Sequence, residues 1–182
     1  MRHPCVIALV LATAACTSAT SSAPPAAKPA TQTIRGDAGS LTINATSTAD
    51  VSRLPYTVDA VWRILPSVMD SVGITVTSVD QARKSIGNPG YKIRGRLGKV
   101  ALSKYLDCGN GTTQVGANAD SYDVFLSVMT GVTSAGAGGA TLTTLVDAQA
   151  RPVIVSQAYS RCSSKGGIEI RIAELVQARL SR

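Results

Sequence analysis

The sequence predicts an α+β fold: a single antiparallel sheet with two main helices packed on one face, a two-layer sandwich. Three observations carry that prediction. Two long β-rich runs, "SYDVFLSVMTGVTS" (121–134) and "ATLTTLVDAQA" (140–150), are joined by "AGAGG", which reads as a hairpin loop. Two segments with apolar residues at helical spacing lie far apart, one well before that hairpin and one after it. Between the first of them and the hairpin, apolar and polar residues alternate with the period of half-buried strands.

The elements follow in chain order. "SLTINATS" (40–47) alternates Leu41 and Ile43 with polar residues and reads as a strand. A helix is predicted within "LPYTVDAVWRILPSVMDSVG". Thr57 suits its N-cap, Asp59 puts a negative charge in the first turn, and Gly73 suits its close. Val58, Val61, Trp62, Leu65, Val68, Met69 and Val72 share one stripe. Pro66 breaks the pattern: it leaves the Trp62 carbonyl without its helical partner and is expected to kink the helix.

"ITVTSVD" (74–80) is rich in β-branched residues and reads as the next strand. A shorter strand is expected from Ser85 to Gly87, ahead of a turn at "NPG". "YKIRGRL" then places Tyr91, Ile93 and Leu97 on one face and Lys92, Arg94 and Arg96 on the other. "VALSKYLD" suits a short helix leading to Cys108. After the hairpin, "SKGGIEIRIAELVQARLSR" predicts a final helix on the stripe Ile168, Ile172, Leu175, Val176 and Leu180. Aromatic residues are few, so the core is expected to be Val, Ile, Leu and Ala around Trp62 and Phe125.

Ahead of this domain, "MRHP" and "CVIALVLATAA" form a basic start and an apolar run ending in small residues, the pattern of an export signal. The run is shorter than the roughly 20 residues a membrane-spanning helix needs. Ala14 and Ala15 before Cys16 resemble the bacterial lipobox, in which the cysteine is acylated (diacylglycerol, palmitate) and becomes the mature N-terminus. Thr13 departs from that motif, which most often has leucine there, and an ordinary signal cleaved near Ala14 or Ala15 is the alternative. Ser, Thr, Ala and Pro dominate from Thr17 to Thr33, too little apolar surface to offset ordering entropy, so a disordered leash is expected. The organisation predicted is therefore 1–15 export signal, 16–39 lipidated Cys16 and tether, and 40–182 a single domain. Thr17 after a lipidated cysteine implies the outer membrane, facing the periplasm.

Removal of residues 1–15 also removes Cys5 and the only histidine, His3. Cys108 and Cys162 then remain as free thiols and in an oxidising compartment most simply form a disulfide. The loop closed, 54 residues long, is worth about 4 kcal/mol on the chain-entropy account. No histidine or further cysteine is left to complete a zinc site, and no metal or cofactor is expected. A histidine-free chain has no Ser–His or Cys–His nucleophile–base pair, and Ser-x-x-Lys spacing is absent. The two glutamates, Glu169 and Glu174, are five residues apart on a predicted helix and do not share a face for paired acid–base work. A catalytic role is not expected.

Charge is the most informative feature. The 26 residues between Asp80 and Asp107 contain Arg83, Lys84, Lys92, Arg94, Arg96, Lys99 and Lys104 and no acidic residue, a local charge of +7. Beyond the leader the chain has 17 Lys and Arg against 11 Asp and Glu, so this one segment exceeds the whole net charge of +6. Clustered charge attracts anionic partners. An exported chain meets lipopolysaccharide, anionic phospholipid or an acidic protein surface, and nucleic acid is not expected. The alternative is a solvated strand face.

Other motifs fall away on spacing. "GYKIRGR" lacks the Gly-Lys-Ser/Thr ending of a phosphate loop. Asp120 and Asp123 near Asn118 lack the alternating ligands and closing Glu of a calcium loop and read as a turn. The sequons at Asn44 and Asn110 are chance in a bacterial lipoprotein. Trp62 reads as core, not as a stacking platform.

The "AVW..LPSVMDSVGITVTSVD" helix-to-strand unit, in a lipidated chain behind a leash, resembles the repeated domain of BamC-type outer-membrane lipoproteins. The resemblance covers roughly Tyr56 to Gly87, and the chain is also similar to uncharacterised small bacterial lipoproteins. It implies a helix-grip α+β domain serving as an accessory part of an envelope assembly machine, and it assigns no functional residues. The first expectation is thus a lipid-anchored, non-catalytic accessory or scaffolding protein with a protein partner. The second is a binding lipoprotein that recognises an anionic envelope molecule through residues 83–104. An envelope hydrolase without histidine is the third.

Overall fold

Alternating and helical apolar patterns each take the form their period dictates in a computed structural model, which describes residues 31–36, 39–44, 50–109, 118–153 and 159–182. The export signal, Cys16, most of the leash and Asn110 lie outside the described residues. The strands are β1 (Thr31–Gly36), β2 (Gly39–Asn44), β3 (Asp50–Leu54), β4 (Ser78–Asp80), β5 (Ser85–Arg94), β6 (Arg96–Leu97), β7 (Val100–Ala101), β8 (Leu106–Asp107), β9 (Asp123–Gly136), β10 (Gly139–Arg151) and β11 (Ser160–Ser164). The helices are α1 (Val58–Val72), α2 (Asn118–Ser121) and α3 (Gly167–Leu180), with a 3-10 turn over Leu102–Lys104. The chain is α+β, built mostly on one antiparallel sheet ordered β4-β5-β9-β10-β11-β8. β3 joins that sheet on β10, which it pairs through Ala140–Thr144, while β11 pairs the same edge through Ala148–Ala150.

α1 starts and stops as its sequence predicts. The Thr57 hydroxyl accepts from the Ala60 N–H at 3.3 Å, satisfying one of the first-turn donors that have no helical partner. Gly73 ends the helix at φ +90°, a conformation that only glycine adopts without steric cost. Its missing Cβ also admits the backbone of Gly98, which an added methyl would meet at 2.7 Å. Pro66 does not divide the element: Val58–Val72 is one helix.

The inward residues of β9 and β10, among them Val124, Leu126, Val128, Leu142 and Val146, are buried with Val61, Leu65 and Met69 of α1 and Ile168, Ile172 and Val176 of α3. Each such side chain contributes roughly 1.5–3 kcal/mol of hydrophobic stabilisation. α1 and α3 touch one another and both touch β10. Arg179 of α3 bonds the hydroxyls of Ser67 and Ser71 across that helix pair.

Several elements differ from the sequence reading. Thr31–Gly36, placed in the tether, is a strand paired with β2 from Thr31 opposite Asn44 to Gly36 opposite Gly39, with Thr31, Thr33 and Ile34 supplying β-branched residues. β3 was not anticipated, and the strand expected over 74–80 narrows to Ser78–Asp80. The "NPG" sequence is not a turn. β5 runs through it with a bulge between Asn88 and Tyr91, where Pro89, lacking an N–H, costs no ladder bond. Asn88 replaces the lost contacts: its side chain donates to the Thr75 carbonyl at 2.7 Å and accepts from the Gly90 N–H at 3.1 Å. Arg96 and Leu97 leave β5 and pair with Val100 and Ala101 in a separate ribbon.

Trp62 is half-buried at the margin of the core, its indole N–H donating to Gln81 at 3.0 Å. Phe125 is buried but faces away from the helices, so it is not the core aromatic the sequence suggested. Cys108 and Cys162 lie at disulfide distance, 2.06 Å between sulfurs, joining the segment after β8 to β11.

Candidate anion-binding face of the sheet

Side chains on a strand alternate between faces, so antiparallel register decides which residues meet across strands. With Val124, Leu126 and Val128 turned to the helices, Asp123, Phe125 and Ser127 turn outward. Register places Lys92 opposite Phe125, Phe125 opposite Gln149, and Gln149 opposite Arg161. The next row holds Arg94, Asp123 and Arg151. Four cations from three strands therefore share one patch with two carboxylates.

Both carboxylates are engaged. Lys92 Nζ lies 2.8 Å from Asp123, and Arg161 lies 3.5 Å from Asp147, whose side chain is almost wholly buried. Burial raises the Asp147 carboxyl above its ordinary range, opposed by the Arg161 charge and by the Ala148 N–H. One Asp147 oxygen is buried without a hydrogen bond. The Arg151 guanidinium sits 4.8 Å from the centre of the Tyr159 ring, a cation–π contact, and Tyr159 meets Phe125 edge to face at 6.5 Å. Phe125 packs over Gly90, where an added Cβ would lie 2.6 Å from the ring. Arg94 is exposed and makes no ion pair among the described residues.

The basic segment 83–104 is not one surface. Only Lys92 and Arg94 reach this patch. Arg83 and Lys84 lie at the β4–β5 turn, where Arg83 is 3.8 Å from Asp80 and Lys84 is 3.6 Å from Asp59 and 5.5 Å from the Trp62 ring centre. Arg96 donates to the Lys99 carbonyl at 3.1 Å within the β6–β7 ribbon, and Lys104 is exposed on the 3-10 turn. Arg151 and Arg161 were missed by the sequence reading. Extending the alternation of β10 by one residue would have found Arg151; Arg161 depends on register alone.

Asp120, Glu169 and Glu174 have structural partners. Asp120 accepts from the Ser103 N–H at 2.8 Å, Glu169 is buried and accepts from Ser164 at 2.7 Å, and Glu174 lies 3.6 Å from Arg171. Asn118, grouped with Asp120 and Asp123 on sequence, donates to the Cys108 carbonyl at 3.1 Å from the short α2. Among the described residues no group of three or more His, Cys, Asp or Glu could hold a metal ion, and no helix is long and apolar enough to cross a membrane. No protein-family model, curated protein or solved structure matches the chain. Chemically, the patch offers fixed positive charge beside aromatic rings, an arrangement for holding anionic groups by charge-assisted hydrogen bonds.

Proposed function

We propose that the chain is a lipid-anchored protein of the bacterial envelope, attached through Cys16 and facing the periplasm from the outer membrane. Its folded part is a non-catalytic, helix-grip-like two-layer domain that recognises an anionic envelope molecule. The observation that carries this reading is the convergence of Lys92, Arg94, Arg151 and Arg161 on one sheet face, with Arg94 exposed and making no ion pair among the described residues. The test is elution from a phosphate-bearing resin by a salt gradient. Arg94→Glu with Arg151→Glu is expected to elute at much lower salt than wild type. Arg83→Glu with Lys104→Glu, equal in net charge change, is expected to move little, because exposed charges off the patch are screened. Equal shifts in both variants would reduce the patch to a share of the net charge.

A second reading, the accessory or scaffolding component, has one observation in its favour. β4 pairs β5 only at Ser85–Gly87, and β1 lies near β5 without forming a ladder with it among the described residues, so a protein strand that displaces β1 has backbone groups to pair. Cross-linking in intact cells from a photoreactive residue placed at Arg94 tests it: capture of a single protein species supports scaffolding, and capture of lipid alone does not.

A further inference from the structure

The outer face carries aliphatic surface as well as charge. Val51 is 56% and Leu145 42% exposed. Register sets Val51 opposite Thr143 and Leu145 opposite Met129, so both point outward and are diagonal neighbours across β3 and β10. Arg53 lies on the same face beyond Val51, exposed and without an ion pair among the described residues. An aliphatic centre is thus flanked by Arg53 on one side and by the four-cation patch on the other. The acidic residues on this face are Asp123 and Asp147, paired with Lys92 and Arg161, Asp80 at one edge, 3.8 Å from Arg83, and Asp107 at the other, which accepts from the Gly109 N–H.

The spacing separates possible anions. Neighbouring strands are about 4.8 Å apart, which puts Lys92 and Arg161 about 14 Å apart and Arg94 and Arg151 about 10 Å apart. These are backbone separations that two long side chains can close, but Arg53 opposite Thr141 and Arg161 opposite Gln149 lie about 26 Å apart along β10, a span that one phosphate cannot bridge and an array of headgroups can. A soluble anion also has no use for exposed Leu145 and Val51, whereas the headgroup–acyl boundary of a bilayer accepts aliphatic side chains beside cations. We propose that this outer face lies against an anionic phospholipid bilayer, its cations among the headgroup phosphates and Leu145 and Val51 at the acyl boundary. The proposal rests on the anion-binding reading above and names its partner.

The test is flotation of full-length Cys16→Ala protein with vesicles of mixed phosphatidylglycerol and phosphatidylcholine, and with phosphatidylcholine alone. All variants share the same N-terminal residues, so differences between them report the face. Each basic residue at an anionic surface is worth roughly fivefold in binding, so reversing Arg94 and Arg151 together is expected to lose a hundredfold or more on the anionic vesicles. Leu145→Asp is expected to lose roughly tenfold, with Val51→Asp as its independent counterpart, and circular dichroism confirms that each variant is folded. Loss in the arginine variant with full binding in both aspartate variants overturns the bilayer proposal and leaves anion recognition standing. Equal binding to both vesicle types overturns the bilayer proposal as well. No effect of the arginine substitutions on either vesicles or phosphate resin overturns both readings.

Discussion

The two faces of one sheet solve burial in opposite ways. On the helix-covered face, β9 and β10 present Val, Leu and Ala, and the buried Thr130 and Thr144 hydroxyls satisfy each other at 3.1 Å. On the outer face, Ser127 and Asp147 are equally buried, yet they sit among Arg161, Phe125 and Tyr159 rather than under a helix. Alternate residues of the same strands therefore occupy a dry, closed core and a charged, partly open one. The difference teaches that burial alone does not locate the structural core here. Unmatched buried oxygens occur on both sides, Asp147 on the outer face, Tyr91 on the helix side and Glu169 on α3, so it is the exposed cations that mark the outer face as the one available for binding.

The widest separation between the faces is expected from paired leucines. Leu126, fully buried on the helix side, should cost about 3–5 kcal/mol as Leu126→Ala, because the cavity left under α1 cannot collapse. Leu145→Ala on the outer face should cost about 0.5 kcal/mol, as for a surface position. Urea unfolding of both variants measures the gap. A Leu145 cost approaching that of Leu126 would mean that the outer face is covered in solution and is not free to bind.

Next in size is the link between β11 and the segment after β8. Cys108→Ala with Cys162→Ala should lower stability by about 2–4 kcal/mol, since the bridge spans 54 positions of sequence. The comparison sharpens here, because Arg161 on the outer face is neighbour to Cys162 on the inner one. Thermal unfolding reads the stability loss, and salt elution from the phosphate resin reads the patch. Reduced stability with weakened elution would show that the disulfide holds the cationic row in register.

Long periodic segments were legible in the sequence, and short or polar ones were not. α1, α3 and the β9–β10 hairpin each repeat their pattern over three or more turns or pleats, and the structure has them nearly where expected. β11 reads "SRCSS" and is a strand only because β10 offers it partners and Cys162 an apolar site. Pro89 pointed to a turn because the bulge that accommodates it depends on the Asn88 side chain reaching Thr75. Half of the candidate site was visible for a similar reason. Lys92 and Arg94 declare their face by alternation within β5, whereas Arg151 and Arg161 join them only through the register of β9, β10 and β11. Phe125 misled because aromatic character was weighed above period: "DVFLSV" sets Val124, Leu126 and Val128 on one side and Phe125 with Asp123 and Ser127 on the other.

A smaller effect separates the faces by pH. Burial raises the Asp147 carboxyl, so the folded state holds its proton more tightly than the unfolded chain does. The contribution is fully present below the ordinary carboxylate value of 3.8 and is lost as pH rises through the higher folded value. Asp147→Asn, which cannot ionise, should therefore gain stability relative to wild type across that window, and Arg161 keeps solvent contact when its partner is neutral. Urea midpoints for both proteins over a pH series check the sign. A gain that shrinks with rising pH would show that the Arg161 pairing outweighs desolvation.

The smallest expected effect tests an unmatched polar group on the helix-covered face. Tyr91 leans to the helix side beside Leu126, and its hydroxyl is buried without a hydrogen bond. Burial pushes that hydroxyl well above its ordinary titration range, so it stays neutral, and its cost is desolvation alone. Tyr91→Phe removes the unmatched oxygen, keeps the ring, and should raise stability by about 1 kcal/mol. A loss instead would mean that the hydroxyl has a partner in solution, and the helix side would then share the outer face's dependence on buried polar contacts. A gain keeps the distinction between the faces, the unmatched oxygen on the helix side being a cost while the Asp147 carboxylate on the outer side is held by Arg161.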